Sequence, residues 1–217
     1  MVFSKKHSFF DITKDMKKLL TILCLIVFSS NSFSETIRQD QLVEKDGLVY
    51  KSGSDQPFTG SIMDVYDNFQ IMGTGTFKEG KRDGMWISFW KNGNVENEGV
   101  FKEGKKHGLF ESFFEDGQLQ SKIMYKDGVF EGSWEWFYPN GQIEQKGMFK
   151  NGKEEGRWEF YHENGQYKWI YHNYKNGKEN GLFESFDENG VLETRGYWKE
   201  GKKNGSWETF NGSGQTE

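Results

Sequence analysis

The chain has 217 residues with 33 acidic and 28 basic side chains, a net charge of −5, and 17% aromatic content. That balance argues against a nucleic-acid partner, whose phosphates would be repelled, and against attachment to an anionic bilayer by charge alone. So many aromatics argue against disorder, and periodic glycine argues against a flexible linker.

In chain order, Met16-Lys17-Lys18 is followed by an apolar run from Leu19 to Phe28 and then Ser29-Ser30-Asn31-Ser32-Phe33-Ser34. A basic start, a short apolar core and small residues at Ser32 and Ser34 predict a signal peptide over residues 1–34, cleaved after Ser34. The apolar run is about half of what spanning a bilayer needs. Met16 is the better start, so residues 1–15 read as an over-extended frame. Cys24 follows the bulky Leu23, whereas lipid attachment calls for a small residue there. The mature chain then has no cysteine, hence neither a disulfide framework nor a thiol catalyst. Without residues 1–34 it holds 23 basic and 31 acidic side chains. The expected location is periplasmic or extracellular.

Residues 35–59 read as a lead-in and a capping hairpin. Residues 35–46 are polar. Gly47 to Lys51 reads as a strand, Ser52 to Pro57 as its turn, and Phe58 onward as the return strand.

Residues 60–214 carry a repeat, and 215–217 are a tail. A frame Gly-x-aromatic-x-x-aromatic-x-x-x-Gly opens at Gly84, Gly108, Gly132, Gly156, Gly181 and Gly205, with steps of 24, 24, 24, 25 and 24 residues. A degenerate copy opens at Gly60. A fixed period of this size marks a repeat array. Each first half ends at Asn-Gly or Asp-Gly, as at Asn92-Gly93 and Asp116-Gly117, which predicts a type I′ hairpin turn. Each second half runs from an apolar residue (Ile71, Val95, Leu119, Ile143, Tyr167, Leu192) to an aromatic (Phe77, Phe101, Tyr125, Phe149, Tyr174, Trp198). A turn of the form Lys-x-Gly follows. The fold class is therefore all-β: an elongated antiparallel meander of about seven 24-residue β-hairpin repeats, stabilised between neighbours.

Strand alternation places Trp86, Phe110, Trp134, Trp158, Phe183 and Trp207 on one face. Phe89, Phe113, Phe137, Tyr161, Phe186 and Phe210, three residues on, fall on the other, so both faces are expected to carry an aromatic ladder. Glu111, Glu135, Glu159, Glu184 and Glu208 share that second face. Gly75, Gly99, Gly147 and Gly196 lie inside second strands, where a neighbouring ring can cover them. The fifth repeat has one extra residue, in Trp169-Ile170-Tyr171-His172-Asn173-Tyr174, which predicts a single β-bulge in an otherwise regular array.

The Gly-x-Trp/Phe-x-x-Phe/Tyr-x-x-Asn-Gly and Phe-Lys-x-Gly-Lys-x-x-Gly segments resemble MORN repeats, in the 24-residue form of the bacterial YwqK-family antitoxins. Pro57-Phe58-Thr59-Gly60 is similar to the lead-in seen ahead of such repeats. The resemblance covers residues 47–214. It implies an extended twisted β-sheet, protein partners, sometimes lipid contact, and no catalysis by the repeats. An antitoxin for a cytosolic toxin carries no export signal, so the leader points to an exported partner.

No catalytic constellation emerges. The mature histidines, His107, His162 and His172, fall in different repeats. Gly104-Lys105-Lys106-His107-Gly108 imitates a phosphate loop but recurs as a turn with no helix after it. Glu115-Asp116-Gly117 and Asp187-Glu188-Asn189-Gly190 lack calcium-loop spacing. The expectation is a non-enzyme without cofactor or metal. For partner contacts the candidates are Trp90, Trp136 and Trp169, the less regular tryptophans, with His172 at the irregular repeat and Lys105 and Lys106 on a lysine-rich rim. Two functions follow: an exported scaffold that binds a protein, or a module that binds envelope lipid or cell-wall glycan through its aromatic rows.

Overall fold

A computed structural model describes residues 36–212, 215 and 216. The leader read at residues 1–34, with Cys24, lies outside them. The described residues form one 16-stranded sheet and a separate two-stranded sheet.

A short β1 (Thr36–Ile37) pairs in parallel with β4 (Gly60–Val65). Then β2 (Leu42–Lys45) and β3 (Leu48–Lys51) make the small sheet through a turn at Asp46-Gly47. This corrects the expected cap. Residues 36–45 hold two short strands and a 3-10 turn (Gln39–Gln41), and β3 pairs backwards with β2 as well as forwards, where Tyr50 bridges Pro57 and the Phe58 N–H donates to the Val49 carbonyl at 2.8 Å. The reason is packing. Ile37, Phe58, Ile62 and Phe77 form a buried cluster on which Leu42, Val49 and Trp86 rest, so the lead-in shields the first rung of the large sheet. The Gln39 backbone N–H donates to the buried Asp64 carboxylate at 2.8 Å, fixing the chain there.

From Gly60 the chain is a meander. The second halves are β5 (Ile71–Lys78), β8 (Val95–Lys102), β10 (Leu119–Lys126), β12 (Ile143–Lys150), β14 (Tyr167–Lys175) and β17 (Leu192–Lys199). They begin and end at the apolar and lysine positions that the period marks. The first halves are β7 (Gly84–Phe89), β9 (Lys105–Phe113), β11 (Val129–Phe137), β13 (Lys153–Tyr161), β16 (Gly181–Phe186) and β18 (Lys202–Thr209), with two-residue pieces β6 (Lys81–Arg82) and β15 (Lys178–Glu179) ahead of β7 and β16.

The type I′ geometry expected at the Asn-Gly edge is not found there. Type I′ geometry belongs to the Lys-x-Gly-Lys edge, where both central residues have positive φ, as at Glu103 (+50°) and Gly104 (+83°). Glutamate is an unfavourable choice there. Stacking holds it: the Gly104 N–H donates to the Arg82 carbonyl at 2.8 Å and the Glu103 N–H to the Asp83 carboxylate at 3.1 Å. At the Asn-Gly edge only the glycine has positive φ. The Gly93 N–H closes onto the Trp90 carbonyl, and the Trp90 N–H onto the Asn94 carbonyl. That is a three-residue loop with a glycine bulge. Asn92 accepts from the Asn94 N–H through its side chain, and its amide donates to the Glu115 carbonyl of the next repeat.

The bulge in the fifth repeat is present. Gly156 pairs Tyr174 while Trp158 pairs Tyr171, leaving an extra residue around His172 and Asn173. It is not the single irregularity, however. Register also shifts near the opening glycines, for example between Gly99 and Phe101 and between Ile123 and Tyr125. Bulges thus recur through the array and feed its twist.

Candidate functional site

Only one face carries a continuous ring ladder. Rings of the two halves alternate along it: Phe77 meets Trp86 at 5.1 Å and 90°, Phe101 meets Phe110 at 5.4 Å and 83°, and Phe149 meets Trp158 at 5.1 Å and 89°. Edge-to-face geometry sets each ring's positive edge on its neighbour's negative face. The rings of Trp86, Phe110, Trp158 and Trp207 lie over Gly75, Gly99, Gly147 and Gly196, where a Cβ would overlap them. Sequence reasoning anticipated this cover.

Beside that spine, on the same face, runs a second row in register: Ser88, Asn97, Ser112, Ser121, then Trp136. Small polar side chains leave space next to large rings. The result is a groove of about 470 Å³ across the strands, bordered by Trp86, Phe101, Phe110 and Tyr125, with Asp64 among its lining residues and Trp136 at the other end. Two cations stand in it. The Arg82 guanidinium lies 4.4 Å from the Trp86 ring centre, and Lys106 Nζ lies 4.7 Å from Phe110 and 4.8 Å from Tyr125. Burial, and then the neighbouring Arg82, push the Lys106 ammonium below its usual range.

Among the described residues, the opposite face carries only a short run of rings, Tyr161, Tyr167 and Phe186, with centroids 4.9 and 6.2 Å apart, where a second full ladder was expected. Its continuous cross-strand row is mostly charged: Glu98, Glu111, Lys122, Glu135, Lys146, Glu159, Ile170, Glu184, Arg195 and Glu208 stand successively opposite one another. Odd spacing did put the glutamates there; the intervening cations were missed because they sit on the other half of each repeat. Lys146 binds Glu159 at 2.9 Å, Arg157 binds Glu159 at 2.7 Å, and Arg195 binds Glu184 at 2.8 Å. Burial raises the Glu159 and Glu184 carboxyls, but donors overcome it: Lys146, Arg157 and Tyr161 for Glu159, His172 and Arg195 for Glu184. Both are held below the ordinary range. Burial, with Glu159 beside it, pushes the Tyr161 hydroxyl up to about 12.

The sequence candidates separate. Trp136 borders the groove and stacks on Trp134 at 6.0 Å. Trp169 shares that face farther along, packed on Phe160 at 5.4 Å under Lys168. Trp90 serves the frame: its indole N–H donates to the Phe113 carbonyl at 3.1 Å, as Tyr66 and Tyr138 do one repeat on from themselves. His172 joins the charged face, 2.8 Å from Glu184 and 3.5 Å from Arg157. Lys105 is exposed on the turn edge, whereas Lys106 enters the groove. Arg82, Asn97 and Ser112 were missed; the signal was their repeat position, adjacent to the spine.

The MORN repeat variant model matches residues 82–103, 106–127, 130–151, 154–176 and 179–200, just over half of the chain. The chain belongs to the MORN repeat variant family. Each MORN match begins two residues before an opening glycine and ends on the first central residue of a type I′ turn. MORN repeats are modules for binding proteins or membranes. No curated protein matches the chain. It is similar to a solved structure described as accessory secretory protein 1, 2 and 3 in Streptococcus pneumoniae, at 14% identity and a TM-score of 0.28. That likeness covers 64% of this chain and 24% of the other, so the chain spans about a quarter of that structure's length.

Proposed function

We propose that the protein is an exported, non-catalytic scaffold that binds a protein partner along the ring-bearing face of its sheet. One observation carries the reading. The groove beside the spine is a concave surface in which apolar rings, short hydrogen-bonding side chains and cations converge, the composition of a recognition site. The charged face neutralises most of its own groups and offers less. Glu159 and Glu184 are each engaged by cationic donors on that face. The leader at residues 1–34 supports export, and the resemblance to antitoxin repeats supports neutralisation or assembly of an envelope partner.

The test is affinity capture with residues 35–217 from envelope extracts, read by mass spectrometry. One protein at near-equal stoichiometry is expected, and Asn97→Trp, which fills the groove from an exposed position, should abolish its capture. Recovery of lipid or wall glycan alone would replace this reading with the membrane or glycan module.

A further inference from the structure

We infer that the groove receives an extended, acidic segment of the protein partner, with a carboxylate held between Arg82 and Lys106; the inference rests on the scaffold reading above. The argument begins with repeat position. Arg82 and Lys106 occupy the same place in consecutive repeats, two residues before Gly84 and Gly108. Later repeats put Phe130, Glu154, Glu179 and Lys203 there. Two adjacent cations therefore occur only where the groove lies.

Their pairing sets them apart from the other cations of the sheet. Lys122, Lys146, Arg157 and Arg195 on the opposite face each reach a glutamate. Among the described residues neither Arg82 nor Lys106 forms an ion pair; both are held against ring faces instead. A ring face attracts a cation but does not neutralise it. Arg82 lies 5.3 Å from the Phe101 ring and Lys106 4.7 Å from the Phe110 ring, rings themselves 5.4 Å apart, and burial and then Arg82 lower the Lys106 ammonium. A carboxylate between the two cations gains two charge-assisted contacts from groups already positioned.

Shape restricts the occupant further. The groove crosses strands from β4 to β11, six spacings of about 4.8 Å, which an extended chain of about nine residues spans. Because it lies across the strands, it cannot add to the sheet by backbone pairing, and recognition falls to the side chains of Ser88, Asn97 and Ser112 and to the two cations.

The experiment uses residues 35–217 and two fluorescent dodecapeptide pools, random except for two central positions fixed as Glu in one and Gln in the other. The Glu pool should be retained and the Gln pool not. Arg82→Gln with Lys106→Gln should reduce retention about tenfold or more, the loss of at least one charged contact. Lys81→Gln with Lys105→Gln, the same loss of two charges at exposed rim positions, should leave it unaltered. Equal retention of both pools, or of the Glu pool by the double variant, overturns the inference. Binding of oligogalacturonate or phosphatidylglycerol vesicles without the Glu pool also overturns it. If the double variant fails to fold, wild-type Lys106 decides: the Glu pool should protect it from acetic anhydride and the Gln pool should not, and equal acetylation overturns the site. The partner capture separates the two readings. A partner held equally by wild type and double variant leaves the scaffold standing without this site, while Glu-pool binding with no captured partner does the reverse.

Discussion

On one face of this sheet adjacent strands are tied by rings, Phe149 against Trp158 and Trp158 over Gly147; on the other, the same strands are tied by charges, Lys146 against Glu159. Ring contacts depend on shape and are insensitive to pH. Charge contacts need both partners ionised and lose strength as water reaches them. The ring face therefore supplies stability that tolerates a groove beside it. The charged face sets register, because a glutamate that slipped one residue would leave its lysine and enter the ring face.

The strongest way to break that comparison is at Trp158. Trp158→Ala removes a buried side chain and should cost about 3–5 kcal/mol in urea unfolding. Trp158→Phe should cost far less, since Phe110 and Phe183 occupy the equivalent position. Equal losses from both would show that the indole, not the shared edge-to-face packing, does the tying.

Deleting Gly156 to Asn180 removes one whole period and sets Glu184 where Glu159 stands, opposite Lys146. At about 0.05–0.15 kcal/mol per residue, 25 residues correspond to a loss of ~1–4 kcal/mol with the fold retained. A circular-dichroism spectrum that keeps its β signature is the expected outcome.

Glu159→Ala should cost ~1–2 kcal/mol near neutral pH, discounted for the half-exposed Lys146 and Arg157. Glu159 and Glu184 are held below the ordinary carboxylate value of 4.5, so their stabilisation is present above that value and lost as pH falls below it. Thermal melts of wild type and variant should converge on acidification below about pH 4.5.

Glu98 sharpens the contrast with the smallest effect and the opposite sign. Burial, then Glu111 directly across the strand, raise its carboxyl, so ionised Glu98 opposes folding. Glu98→Gln should add a few tenths to about 1 kcal/mol at pH 7, the scale of a like-charge cross-strand pair discounted for exposure. That gain should shrink as pH falls and the native carboxyl takes up its proton.

The period made the fold readable before any coordinates. Opening glycines and aromatic spacing located β7 to β18, the glycine cover and the extra residue near His172. The candidate site was readable only in fragments: Trp136 and Lys106 belong to the groove, Trp90 to the frame, and His172 to the opposite face. Turn type was misread because Asn92 uses its side chain to stack on Glu115, a contact with the next repeat that no local propensity contains.

By itself, then, the sequence determined what recurs every 24 residues: two strands per repeat, which residues share a face, and where the chain turns. Tertiary structure decided what depends on pairing between repeats. The lead-in folds over Phe58 and Phe77 because those rings would otherwise end the array uncovered. The charged row appears only when Lys122 and Lys146 are set opposite glutamates of neighbouring strands. Arg82 and Lys106 share a groove because sheet registry brings together residues 24 apart in the chain, a proximity that no local segment contains.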